Sequence, residues 1–241
     1  MRISKDHDVR KAELLGAAEA LFFEKGYEQT TVNAIIEKVG VSKGTFYYYF
    51  KSKEEIVDCL AERAGDQSMH QIQAVVDHED LDALGKLNRV YETAREWQIA
   101  NVELVMTILG VMYRDENLLL KHRIQQRSLE MSVQIFSTII AQGLREGTFD
   151  ISAKAEEVGE LILRMGNDLS DSTTVLYLRL DENPEKLGII VDKIALYQEA
   201  LERILGAAKG SIRVLDRHFL NDFTEKYYKS QGKEWSQPVT G

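Results

Sequence analysis

This sequence predicts an all-α protein, with a three-helix head carrying a helix-turn-helix and a larger helical bundle behind it. Three observations lead there. Apolar residues recur at three- and four-residue spacing almost from end to end, and only Pro184 and Pro238 interrupt them in 241 residues. Two short segments near the N-terminus are joined by a tight glycine-containing turn with one apolar residue in it, the pattern of a helix-turn-helix. Hydrophobic residues make up 44% of the chain, enough for a core, while no window holds the ~18 consecutive apolar residues of a membrane-spanning helix.

The elements follow in order. Leu14, Ala18, Leu21 and Phe22 form an i, i+4, i+7, i+8 stripe, so residues 8–25 read as an amphipathic helix that Gly26 can end. Thr31 caps a second helix whose inner face is Ala34, Ile35 and Val39. Gly40 closes it, Val41 fills the turn, and Ser42 is a ready N-cap for a third helix. At about 100° per residue, Phe46, Tyr49 and Phe50 share the face of that helix that can pack inward. Gly44, Tyr47, Tyr48 and Lys51 fall on the opposite face, with Lys43 and Thr45 at its margins. A glycine there leaves the backbone open to a docking surface, tyrosine offers a ring and a hydroxyl, and threonine can meet a thymine methyl. Ser52 and Glu55 then make a capping box for a fourth helix, whose first turn, with Lys53, suits a phosphate.

Charge is uneven along the chain. Residues 1–55 hold nine basic and nine acidic residues, so the whole net charge of −9 lies beyond them. Between Lys38 and Lys53 stand Lys38, Lys43, Lys51 and Lys53 with no acid among them. A basic patch at one end of an acidic protein points to a polyanion met at that end.

The stretch Thr30 to Ile56, "TTVNAIIEKVGVSKGTFYYYFKSKEEI", with its lead-in "LFFEKGYEQTT", resembles the N-terminal signature of the tetracycline-repressor (TetR) family of bacterial transcription regulators. The resemblance covers residues 8–60. It implies a homodimer with a DNA-binding head and a helical body that binds an effector and holds the dimer together. By it, Thr31 and Lys53 match phosphate-contacting positions, and Lys43, Thr45, Tyr47 and Tyr48 match recognition-helix contacts, flanked by Ser42 and Gly44. Asn33 matches a position that contacts a base in some members. Ile36 departs from the alanine that many members carry, which implies a small repacking. Head, body and polar tail are then residues 1–52, 53–229 and 230–241, the tail being expected to be disordered.

Beyond residue 60 the reading rests on pattern. Gly65 and the polar "DQS" can break or bend the fourth helix. "DHEDLDALGKL" starts another, running through Tyr91 to about Trp97. The stretch 101–113 is apolar on nearly every side and reads as a buried central helix. A long helix follows from Leu118 to Leu144, with Gly147 supplying the turn after it. Residues 153–178 carry Val158, Leu161, Ile162, Met165 and Leu169, with Gly159 and Gly166 a heptad apart and able to admit a close helix. Asn183 and Pro184 can open the next helix, with a stripe of Leu187, Ile190, Val191, Ile194, Tyr197, Leu201 and Ile204. Ile189 and Leu196 lie off that stripe, so this helix can face both its own core and a partner. The dimer contact is accordingly expected at Leu161, Met165, Ile190, Ile194, Tyr197 and Leu201. A last amphipathic helix spans 211–229 through Ile212, Leu215, Phe219, Phe223 and Tyr227. Trp235, in the tail, has no role that the pattern reveals.

Tyr91, Trp97, Met106, Met112 and Tyr113 are candidates to line a pocket for a small hydrophobic or aromatic effector, since methionine adapts to irregular cavities and aromatic rings give flat walls with polar tips. No catalytic constellation is visible. The five histidines show no paired ligand spacing, and no phosphate-cradling glycine loop or nucleophile motif occurs. An enzyme, a metal site and a cofactor are therefore not expected. The lone Cys59, and an N-terminus without the build of a signal peptide, fit a reducing cytoplasmic setting with no membrane. The expected partners are a second copy of the chain, double-stranded DNA with a palindromic operator, and the effector, which makes the protein a repressor. The alternative is a ligand-binding or interaction protein whose head meets another protein. A steep fall of affinity for duplex DNA with salt separates the two.

Overall fold

The computed structural model describes residues 2–215 and 217–235, and among them it holds ten α-helices and no strand. They form two compact units. The first is Met1–Gly65 with Glu103–Ile124, and the second is Asp66–Val102 with Gln125–Gly241. The expected head, residues 1–52, lies within the first unit, which also takes in a stretch of the expected body.

In the first unit, α1 (Arg2–Gln29) changes course at Gly26, whose φ of 82° only glycine adopts without strain. Thr30 sits fully buried just beyond, its hydroxyl shared between the carbonyls of Gly26 and Leu21 at 2.8 and 3.1 Å, so the turn keeps no unsatisfied donor. α2 (Val32–Val39) starts at Thr31, whose Oγ1 accepts from the Ala34 N–H at 3.1 Å, and ends at Gly40 in the left-handed region. α3 (Lys43–Tyr49) starts at Ser42, whose Oγ accepts from the Thr45 N–H at 3.1 Å. Leu14, Ala18, Ile35, Phe46, Phe50, Ile56 and Leu60 are fully buried and form the core that aligns these helices. α4 (Lys53–Val76) is one helix: of the break or bend that Gly65 could bring, the break does not occur.

α5 (Ala83–Ala100) belongs to the second unit and is capped by Asp82, which accepts from the Gly85 N–H at 2.6 Å. α6 (Val102–Met112) is the apolar central stretch, and none of its residues is exposed. A 3-10 turn (Asp115–Asn117) leads into α7 (Leu118–Glu146). Two ion pairs show why this corner belongs with the first unit: Arg114 meets Glu28, and Arg123 meets Asp58 at 3.0 Å.

The second unit is completed by α8 (Ala155–Tyr177), α9 (Lys186–Leu205) and α10 (Arg217–Ser230). Its core includes Leu87, Ile139, Ile140, Ile162, Leu201, Leu205 and Ile212, all fully buried. The two glycines of α8 do allow close approach, but within the chain. A Cβ at Gly159 would come 3.1 Å from Ser137 Oγ, and one at Gly166 3.0 Å from the Tyr197 hydroxyl oxygen.

Two helix starts differ from the sequence expectation. α9 begins at Lys186, not at Pro184, because the N–H groups of Lys186 and Leu187 close a turn onto the carbonyls of Asn183 and Pro184. Residues 211–215, expected in the last helix, form an extended strap. Side chains take its backbone groups one by one. Asn88 donates to the Ser211 carbonyl and accepts from the Arg213 N–H, Arg95 donates to the carbonyls of Arg213 and Val214, and Glu202 accepts from the Ile212 N–H. A segment whose polar groups are met this way needs no helix. Its alternation of buried Ile212 and Val214 with exposed Arg213 has the period of a strand. Of the expected tail, 236–241 lie outside the described residues. The part before them turns back onto α10: the Lys233 N–H donates to the Tyr228 carbonyl at 2.9 Å, and the Trp235 ring lies 4.9 Å from that of Tyr228. Trp235 thus finds an aromatic neighbour.

Candidate nucleic-acid interface

α3 presents two faces of opposite character because its length covers only two turns. Phe46 and the following Phe50 are fully buried, which leaves the other face to solvent. On it Tyr48 is 72% exposed and Tyr47 47% exposed, large apolar rings with no burial to account for them. Gly44 is open, since a Cβ there would meet only Ser42 Oγ at 3.8 Å. Lys43 is exposed, with its ammonium 6.0 Å from the Tyr47 ring. Ser42 and Thr45 share a hydrogen bond of 2.8 Å, which orients both hydroxyls at the start of the helix.

Tyr49 lies between the two faces. Its ring is 4.7 Å from His7 of α1 and 5.0 Å from Tyr48, and His7 is also 5.6 Å from Tyr48. His7 thereby braces Tyr48 and Tyr49, a contact that no local spacing announces. Thr31 and Asn33 are exposed at the start of α2.

The second candidate for anion binding is the start of α4. The Glu55 N–H donates to Ser52 Oγ at 3.3 Å, as in a capping box. The Glu55 carboxylate reaches back to the Lys51 N–H at 2.5 Å, one residue earlier than the pattern implies. Lys53 is half-buried, and its ammonium donates to the Tyr27 carbonyl at 2.8 Å. Burial pulls the Lys53 ammonium below its ordinary pKa, Arg114 adds to the fall, and Glu28 and Glu54 oppose it. The Glu54 carboxyl stays below its usual value although burial works against it, because Ser52 and the Tyr27 hydroxyl hydrogen-bond to it.

The candidate effector residues are divided between the units. Met106 and Met112 are buried in the first, and Tyr113 there lies under the Lys121 ammonium at 4.4 Å. Tyr91 and Trp97 belong to the second. Tyr91 packs edge-on against Phe136 at 5.9 Å, with its hydroxyl buried and without a well-formed hydrogen bond beside that of Tyr197. Burial raises the pKa of both phenols, that of Tyr197 to about 12. Trp97 lines an open groove of about 830 Å³ with Asp66, Gln67, His70, Gln71 and Asn101.

The residues expected at the dimer contact also separate. Leu161 is 50% exposed and Met165 partly so, whereas Ile190, Ile194, Tyr197 and Leu201 are buried in the chain's own core. The large exposed apolar residues on α9 are Ile189 and Leu196, the pair that stands off the stripe.

Comparison with known proteins agrees with this geometry. Residues 14–60 match the family described as bacterial regulatory proteins, tetR family. The chain is 30% identical over 155 residues to the transcriptional repressor KstR2 of Mycobacterium tuberculosis (strain CDC 1551 / Oshkosh), covering 61% of this chain and 73% of KstR2. It is 24% identical over 199 residues to the HTH-type transcriptional regulator YfiR of Bacillus subtilis (strain 168), covering 81% and 94%. Among solved structures, the fold is similar to that of FadR from Bacillus subtilis in complex with stearoyl-CoA, with a TM-score of 0.56, 23% identity, and coverage of 82% of this chain and 98% of that one. It is also similar to that of the SmeT–triclosan complex, with a TM-score of 0.52, 18% identity, and coverage of 86% and 97%. The helix-turn-helix and these likenesses together establish that the chain belongs to the TetR family of bacterial DNA-binding transcriptional regulators.

Proposed function

We propose that the protein is a homodimeric repressor which binds a palindromic operator through two copies of α3 and leaves it when a small hydrophobic or aromatic effector binds the body. One observation carries the first half: the outward face of α3 exposes Tyr47 and Tyr48 beside Lys43 and an open Gly44, which suits base edges and phosphates. Thr31, Asn33, Ser42, Thr45 and Lys53 flank it as further contacts. The dimer reading is supported by Leu161, Ile189 and Leu196, apolar and exposed on α8 and α9. The effector reading is supported by two structural neighbours in complex with molecules that carry an apolar or aromatic part, stearoyl-CoA and triclosan. Within the chain, the groove beside Trp97 offers open space next to an aromatic wall.

Selection of DNA from a random pool by the purified protein tests this reading. The expected result is one enriched inverted repeat whose affinity falls steeply as salt rises. Enrichment of no sequence, with binding too weak to measure at moderate salt, overturns it.

A further inference from the structure

The first unit gathers two cations and two carboxylates around one ring, that of Tyr27, just after the break at Gly26. The Lys53 ammonium lies 4.2 Å from the ring centroid and the Arg114 guanidinium 4.8 Å. The Tyr27 hydroxyl donates to Glu54 at 2.7 Å. Arg114 comes from the end of α6, where its Nε donates to the Gly110 carbonyl at 3.2 Å, and its guanidinium pairs with Glu28. A cation over an aromatic face is attracted to it. Two cations on one ring repel each other, and here Glu28 and Glu54 offset that repulsion.

Glu28 has a choice of partner. Its side chain is 64% exposed and paired with Arg114, yet its charge is also felt by Lys53. An ammonium has three donors, and the Tyr27 carbonyl takes one of those of Lys53. Two remain for a phosphate. If Arg114 is lost, the unpaired Glu28 carboxylate is left with Lys53 as the other cation of the cluster.

We propose that Arg114 is a positioning residue for DNA binding: by holding Glu28, it keeps the Lys53 ammonium available to an operator phosphate. This rests on the reading of Lys53 as a phosphate contact. Any change that draws Arg114 away from Glu28 then weakens DNA binding while leaving the recognition helix untouched.

The test uses the full-length protein and a duplex selected by it from a random pool, titrated at several salt concentrations, with thermal melting as a check on folding. The proteins are Lys53→Ala, Arg114→Ala, Arg114→Gln (which retains more of the stem beside Tyr27), Glu28→Gln, and the doubles Arg114→Ala/Glu28→Gln and Arg114→Ala/Lys53→Ala. Arg114→Ala and Arg114→Gln are each expected to weaken binding about tenfold, the scale of one charge-assisted hydrogen bond, and to flatten the salt dependence by about one phosphate per half-site. Glu28→Gln should restore affinity in the Arg114→Ala background. Arg114→Ala should add nothing to Lys53→Ala, because both act on one contact. Simple repulsion of DNA by an unpaired Glu28 predicts additivity instead, and additivity overturns the proposal. So does an Arg114 variant that binds like the wild type, or a loss that Glu28→Gln does not restore. Lys53→Ala binding like the wild type removes the phosphate contact itself, and the proposal with it. Lys53→Ala weakened beside an unaffected Arg114→Ala overturns the role of Arg114 alone.

Discussion

Tyr47 and Lys53 serve DNA binding by different physics in the proposed reading, and substitution separates them. Tyr47 is a half-exposed ring on α3, so Tyr47→Ala should cost about 1–3 kcal/mol on the selected operator and much less on unrelated DNA, as expected for base readout. Lys53 grips the backbone, so Lys53→Ala should weaken binding to all sequences alike and lower the slope of log affinity against log salt by about one per half-site. Salt titrations of the two variants on specific and unrelated duplexes distinguish these outcomes, and identical behaviour on both duplexes for Tyr47→Ala would remove it from the interface. Tyr27, beside Lys53, sets a pH window for the head. Burial first and Glu54 second push its phenol above the ordinary 10.0, so the stability this bond contributes is complete below that value and lost as pH rises past it. Glu54 is held below its ordinary 4.5, so its share is complete above that value and lost as pH falls through its lowered pKa. The melting temperature is expected to be lowered by Tyr27→Phe between these limits and to converge with that of the wild type outside them.

α9 shows, at the scale of one helix, what periodicity can and cannot reveal. Its stripe of Leu187, Ile190, Ile194, Tyr197 and Leu201 identifies a helix with a strongly apolar face, and that face is buried in the chain's own core. The large exposed apolar residues are the minority, Ile189 and Leu196, and they lie outside that stripe. Periodicity counts apolar residues without naming the neighbour that covers them. The interface is therefore better tested at Leu161 and Leu196, the latter 69% exposed. Leu161→Glu with Leu196→Glu should give monomers of normal helix content. Ile194→Asp with Leu201→Asp should instead unfold the second unit, since an unpaired charge in a core costs about 4 kcal/mol or more. Sedimentation and circular dichroism on both pairs decide, and an intact dimer for the Glu pair places the contact elsewhere. The same limit explains the strap at 211–215. Its apolar pattern suited a helix, but Asn88, Arg95 and Glu202, all more than nine positions away in sequence, offered its backbone better partners.

At the scale of the whole molecule, the head was legible because its signature is local: caps at Thr31 and Ser42, a left-handed Gly40 and two faces of one short helix all fall within twenty residues. The candidate effector set has no such local signature: Tyr91 and Met106 are close in sequence yet belong to different units, and no spacing rule encodes that partition. Trp97 has open space beside it, which makes it a place to look for the effector. The chain has two tryptophans, and Trp235 lies against Tyr228 at a tilt near the end of the sequence, so Trp235→Phe leaves Trp97 as the only tryptophan reporter. An apolar or aromatic compound that releases the operator should quench the fluorescence of this variant with the same midpoint at which DNA dissociates, since a ligand shifts an equilibrium only by its differential affinity for the two states. By the reciprocity of linkage, saturating operator should weaken binding of the compound by the factor by which the compound weakens DNA binding, about 5–150-fold for typical couplings. A compound that releases DNA without altering the Trp97 signal, and that acts unchanged on Trp97→Phe, puts the effector site outside this groove.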